Sequence, residues 1–163
     1  MNEEGKEEQE TELSEELCGR FSAMLNVHGY SNAIRREEEL FVECFTCPPS
    51  PNEKGIPPGV LRFYFSGNWI LAHGTIPGWN LKESSLKTLW FCNQWNLVSH
   101  FPVAALQGGY IIGSYLWFVS ELTTDEFLWD SVFMQFMTAS GMFFERMQQE
   151  FPALPRHNIY LKE

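Results

Sequence analysis

Cys44 and Cys47 form the chain's one Cys-x-x-Cys pair. Two sulfurs at that spacing can share a metal ion or close a redox disulfide. A structural zinc site needs four ligands, however, and Cys18 and Cys92 each stand alone. A thioredoxin-type pair sits at a helix N-terminus, whereas this one lies where an expected strand runs into Pro48 and Pro49. We read the thiols as incidental and expect neither metal nor cofactor; a thiol or zinc protein built on Cys44 and Cys47 is the lesser alternative. His28, His73, His100 and His157 share no ligand spacing. A nucleophile elbow, a phosphate-cradling glycine loop and a dinucleotide fingerprint are all absent. The carboxylates of Asp125, Asp130, Glu121 and Glu126 suit a helix start and solvent better than a catalytic pair. The chain does not read as an enzyme. Asn93 and Asn96 are the remaining polar candidates, and their amides are expected to hold the hairpin that follows them.

These residues need elements to position them. Leu13, Leu17, Phe21, Met24, Leu25 and His28 recur at helical spacing, with Ser14 as a cap and Gly29 as a stop. Strands are expected over Leu40 to Thr46, Val60 to Phe65 and Trp69 to Ile76, with Ser66-Gly67-Asn68 as the turn between the last two. The proline-rich stretch from Cys47 to Gly59 cannot join a ladder and should project from the sheet. Asn80 with Glu83 reads as a capping box for helix two, whose buried stripe would be Leu86, Leu89, Trp90, Asn93 and Leu97. Phe101-Pro102 closes it. Val103 to Leu106 and Tyr110 to Glu121 form a hairpin around Gln107-Gly108-Gly109. Thr123 with Glu126 opens helix three, which runs to Phe151-Pro152. His157 to Glu163, with Ile159, Tyr160 and Leu161, can add a short extended segment. The order α-β-β-β-α-β-β-α implies an α+β fold with a mainly antiparallel sheet packed with helices.

Charge narrows the partners. Eight Glu and one Lys between Met1 and Glu16 supply most of the net charge of −10. Residues 1–12 are expected as a disordered, acidic, solvated tail, and 13–163 as a single domain. Arg35-Arg36 is the longest basic run, so nucleic acid and anionic membrane are poor partners. The acidic start is no secretory signal, and Tyr110 to Val119, the longest apolar stretch, is too short to span a bilayer. With four scattered Cys, the expectation is a cytoplasmic protein with reduced thiols.

Aromatic residues make up 15% of the chain, and two elements carry more apolar surface than one core needs. On helix three, Leu128, Val132, Phe136, Phe143 and Met147 form one stripe, and Trp129, Phe133, Met137 and Phe144 form a second about 100° around. On the last strand, Tyr115, Trp117 and Val119 face one way while Leu116 and Phe118 face the other. Helices one and three could cover opposite faces of the sheet within one subunit. Otherwise a second copy or a partner's segment covers the surplus, and Tyr115, Trp117, Trp129, Phe133, Met137 and Phe144 are the expected contact residues.

Trp95-Asn96, then Phe101-Pro102-x-Ala104, a Gly-containing turn, a long apolar strand and a Thr-Thr-Asp-Glu helix start make a connected string. In this the chain resembles the YbjN domain family, described as bacterial sensory transduction regulators with a fold similar to type III secretion chaperones. The likeness is clearest from Gly78 to Phe151. Family members often carry basic residues between the two motifs, where this chain has Leu97-Val98-Ser99-His100. The resemblance implies a small, often dimeric, chaperone-like or regulatory adaptor without catalytic residues. The expected function is thus binding of another polypeptide, with a homodimer as the expected state. A small-ligand sensor with an aromatic-lined pocket is the alternative.

Overall fold

Six strands pair antiparallel throughout, in the order β1-β2-β3-β4-β6-β5. They are β1 (Asn32–Arg36), β2 (Leu40–Phe45), β3 (Val60–Ser66), β4 (Trp69–Thr75), β5 (Val103–Gln107) and β6 (Tyr110–Phe118). The helical elements are α1 (Glu3–Val27), α2 (Ser85–Val98), α3 (Asp125–Phe127), a π-helical segment (Leu128–Met134) and α4 (Gln135–Glu150). The computed structural model describes residues 3–45, 59–76, 85–107 and 110–151. The fold is α+β, with an antiparallel sheet packed by helices, as the element order implies.

Register places Cys44, Leu61, Gly74, Gly113 and Ala104 in one row across five strands. Beside it runs Val42, Phe63, Ala72 and Tyr115. This face carries the core: Val42, Cys44, Leu61, Phe63, Ile70 and Ala72 are fully buried beneath the helices. Leu17, Phe21 and Leu25 of α1 cover β1–β3, and α4 lies over β4 and β6. Glycine makes the second seat possible. A Cβ at Gly74 would stand 3.1 Å from Ser140 Oγ and 3.2 Å from the Phe144 ring. One at Gly113 would stand 2.7 Å from Pro102 Cγ and 3.2 Å from Phe143, and one at Gly59 would run into the Phe144 ring. Helices one and three therefore share one face of the sheet, and the arrangement that puts them on opposite faces is excluded.

Polar pins join α1 to its neighbours. Ser14, expected as a cap, sits inside the helix: its hydroxyl donates to Glu10 O at 2.7 Å and accepts from the Gly67 N–H at 2.7 Å. Residues 3–12, expected as a disordered tail, continue α1 from Glu3. Glu is a good helix former and is favoured at the positive end of the helix dipole. Ser22 donates to Asn32 Oδ1 at 2.6 Å, tying α1 to β1. Arg20 donates to Asp125 Oδ1 at 2.7 Å and to Thr123 O at 2.7 Å, tying α1 to the start of α3. Gly29 takes φ +80° and ends the helix as expected.

Other elements depart from the sequence reading. Strand β1 adds an edge that was not anticipated, because Arg35 and Arg36 disguise it. Thr124, rather than Thr123, caps α3 by accepting from the Phe127 N–H. On α2 the buried residues are Thr88, Phe91 and Cys92, whereas Leu86, Leu89, Trp90, Asn93 and Leu97 are exposed. The expected buried stripe of α2 is thus its outer face. The Asn80/Glu83 cap, the Cys47–Gly59 loop, the Gly108-Gly109 turn and the C-terminal segment lie outside the described residues.

Ser140 is fully buried, and its hydroxyl has no hydrogen-bond partner among the described residues. Gly74→Ala should destabilise by about 1–3 kcal/mol, since Ser140, Phe144 and Leu61 would all have to yield. Ser140→Ala should be neutral or stabilising by up to ~1 kcal/mol, because it deletes an unsatisfied hydroxyl. The double variant should cost less than Gly74→Ala alone, and denaturant melts of the three proteins measure that coupling.

Candidate functional site

Three of the six expected contact residues are interior. Phe133 is 0% exposed, Phe144 2% and Trp117 9%. The flank of helix three that carries Phe133 and Phe144 is closed by the same subunit, while Trp117 is held on β6 against Phe101 and Phe136. Phe133 packs on Phe21 at 6.1 Å and on Tyr30 at 4.8 Å between ring centroids. His28 stacks on Trp129 at 3.6 Å and 16°. Met137 is half-buried against the core. Over Leu128–Met134 the helix widens, with the Gln135 N–H reaching back to Asp130 O. Leu128, Val132 and Phe133 of this segment are all fully buried, so both apolar stripes belong to the core. Tyr115 alone of the six is substantially exposed, resting on Phe101 at 4.6 Å.

The candidate chemistry separates in space. Cys44 is buried in the helix-facing row, while Cys47 lies outside the described residues. Burial pushes the Cys18 thiol up to about 11 and raises that of Cys92, which makes both poor nucleophiles. No three potential metal ligands gather among the described residues. The four described acids named at the sequence level, Glu121, Asp125, Glu126 and Asp130, are exposed, and Asp125 serves Arg20.

What remains open is the other face of the sheet. No described helix lies on it. Register sets Phe118 beside Trp69, Leu116 beside Leu71, and Ser114 between His73 and Val103. Phe118 is 78% exposed and Leu116 41%, with Val103 and Tyr110 also open. The face is divided. Its β4–β6 part is apolar at Trp69, Leu71, Leu116 and Phe118, whereas its β2–β3 half carries the Arg62–Glu43 pair at 2.8 Å and Arg62 over the Phe41 ring. Between the halves a depression of about 500 Å³ is lined by Arg62, Tyr64, His73, Thr75 and Tyr110. His73 is half-buried there, 5.2 Å from the Tyr64 ring. Burial lowers its pKa, the Arg62 charge adds to that, and Glu39 opposes it.

The sheet's edges are less available than its face. At the β5 edge, Asn96 accepts from the Ala104 N–H at 2.7 Å and donates to Ala104 O at 2.9 Å. Trp95 Nε1 donates to Pro102 O at 2.7 Å. The Trp-Asn pair therefore fastens the end of α2 to the start of β5, as expected of Asn96, while Asn93 is exposed and takes no part in that fastening. An incoming strand would have to displace Asn96 to reach Ala104. The β1 edge is short and presents Arg35 and Arg36. Among the described residues, no helix is long and apolar enough to cross a membrane.

Asn96→Ala should cost about 2 kcal/mol, since it strands the amide and carbonyl of a buried residue. Asn96→Asp should not restore the loss, because a carboxylate cannot donate to Ala104 O. Asn93→Ala should stay within about 0.5 kcal/mol in the same denaturant titration. A second expectation concerns pH. With its folded pKa below the unfolded value of about 6.5, His73 binds its proton less readily in the native state. Its contribution to stability is present above that value and is lost as pH falls from there through the folded pKa. His73→Gln should flatten that part of the stability–pH curve, and an unchanged curve would contradict the assignment. No protein-family model, no curated protein and no solved structure matches the chain.

Proposed function

We propose that this chain is a non-catalytic, cytoplasmic protein-interaction module, chaperone-like or regulatory, that binds another polypeptide and associates as a homodimer. One observation carries the reading: the apolar half of the uncovered sheet face, where Trp69, Leu71, Leu116 and Phe118 sit side by side on neighbouring strands. Singly exposed apolar residues are ordinary on a soluble protein, but a contiguous patch on a regular surface is not. A second copy is the natural first occupant. Two such faces related by a two-fold axis match apolar half to apolar half, and twisted sheets pack well at a small angle. The blocked β5 edge and the charged β1 edge favour this face-to-face mode over strand addition. The Trp-Asn and Phe-Pro string, through the family it resembles, points to the same class of function.

The contact residues of this reading are Trp69, Leu71, Leu116 and Phe118; Tyr115, the one exposed member of the original six, lies on the helix-facing side of the sheet and is set aside with the interior residues. Size-exclusion chromatography with light scattering should give twice the chain mass of 18.9 kDa. Leu116→Glu with Phe118→Glu should run as a monomer with unchanged circular dichroism, because both side chains are already open to water. Phe133→Glu should instead unfold the protein. A wild-type monomer that also retains no protein partner through this face would overturn the proposal.

A further inference from the structure

The depression on the uncovered sheet face has an apolar floor and polar ends, and register lays it out row by row along β4. In one row Arg62 and His73 stand side by side. In the next, Val60 pairs with Thr75, and the β4–β6 register carries Thr75 on to Ile112. One row further, Tyr110 and Gln107 face each other across β6 and β5. Residues two apart on a strand lie about 7 Å from each other, so the His73 and Tyr110 rows are separated by about 14 Å. The middle row is the floor. Val60 and Ile112 are each 7% exposed and Ile76 1%, and all three line the same space as the polar residues at its ends. Its volume of about 500 Å³ is that of a small-molecule site.

Elsewhere in this fold polar side chains are spent on partners: Asn32 on Ser22, Asn96 on Ala104, Ser14 on Gly67. Here they are not. His73 touches the Tyr64 ring, but neither of its nitrogens takes a hydrogen bond among the described residues, and the same holds for the side chains of Thr75, Gln107 and Tyr110. Charge, by contrast, is already balanced. Arg62 gives its Nε to Glu43 at 2.8 Å and leans over the Phe41 ring, and Glu39 adds a carboxylate at the rim. Burial lowers the His73 pKa, with Glu39 pulling against that and Arg62 adding to it. At neutral pH the imidazole is therefore uncharged and offers one donor and one acceptor. An anion would meet Glu39 and Glu43, a cation would meet Arg62, and either would shed water over an apolar floor.

We propose that the depression binds a small uncharged molecule: a flat ring over Val60, Thr75 and Ile112, with an amide-type edge, donor beside acceptor, turned to His73. The ligand site does not rest on the dimer, since Leu116 and Phe118 lie outside the depression.

NMR titration of the full chain tests it with probes of one shape: benzamide, benzoate and benzylammonium. Benzamide should shift the His73 ring Cε1–H and the backbone amides of β4 saturably, with a dissociation constant of about 1 mM, as suits so small a ligand. Benzoate and benzylammonium should bind at least about tenfold more weakly. His73→Leu and Thr75→Val, each checked for fold by circular dichroism and followed on the β4 amides, should weaken benzamide by about threefold to tenfold, the worth of one hydrogen bond. Either variant decides the matter if the other does not fold. Leu116→Glu with Phe118→Glu should bind benzamide as the wild type does, so that failure of the dimer reading leaves this one standing. Loss of binding in that protein would move the ligand to the apolar part of the face and overturn the inference. So would no saturable shift at His73, a charged probe binding as tightly as benzamide, or an affinity unchanged in a folded His73→Leu or Thr75→Val protein.

Discussion

The arrangement rests on how closely α4 can approach the sheet. A pair of adjacent strands, β4 and β6, present Gly74 and Gly113 to it in register, and Phe143, Phe144 and Ser140 fill the space that two side chains would have taken. With the helix seated there, α1 can occupy the remaining β1–β3 half of the same face. Both apolar stripes of the long helical segment then find partners, one in the sheet and one in Phe21, His28 and Tyr30. One layer of helices consumes the large aromatic side chains of a single core. The opposite face of the sheet is left without a described helix, and that asymmetry separates interior from surface in this molecule.

Much of this was legible in the sequence, and the failures have physical causes. Strands with clear alternation were readable, as was the glycine stop at Gly29, because each follows from local sterics. Strand β1 was not, since Asn-Ala-Ile-Arg-Arg lacks the apolar alternation of a half-buried strand and is held by the edge of β2 and by Asn32. Helix α2 was assigned the wrong face. It is apolar nearly all round, and its buried side includes Thr88 and the half-buried Asn96, while Leu86 and Leu97 stay in water. Counting large apolar residues selects the wrong side when polar groups such as Thr88 and Asn96 share the inward side with Phe91 and Cys92.

The surplus of apolar surface was correctly sensed and partly misplaced. Of the two features that suggested it, the double stripe of helix three is interior, because the π-helical turn and the α1–β1 connection close over it. The two-faced last strand does leave Leu116 and Phe118 in water. Periodicity can show that a helix has a wide apolar arc, but not whether a neighbouring loop will cover it. For a strand the inference is safer: its two faces cannot both meet a single layer of helices.

This geometry also changes what the Trp-Asn and Phe-Pro string means. Trp95 and Asn96 bind the backbone of Pro102 and Ala104, and Pro102 packs beneath Gly113. Trp95, Asn96, Pro102 and Ala104 all serve one junction, where the chain leaves α2 and enters the edge strand. Its amide and indole are spent on backbone partners, which leaves them little to offer a ligand or client. A sequence likeness carried by such a string speaks first to how the chain folds. The exposed Phe118 and Leu116 on the β4–β6 face and Trp90 and Val98 on α2 lie outside that junction, and the core does not require them.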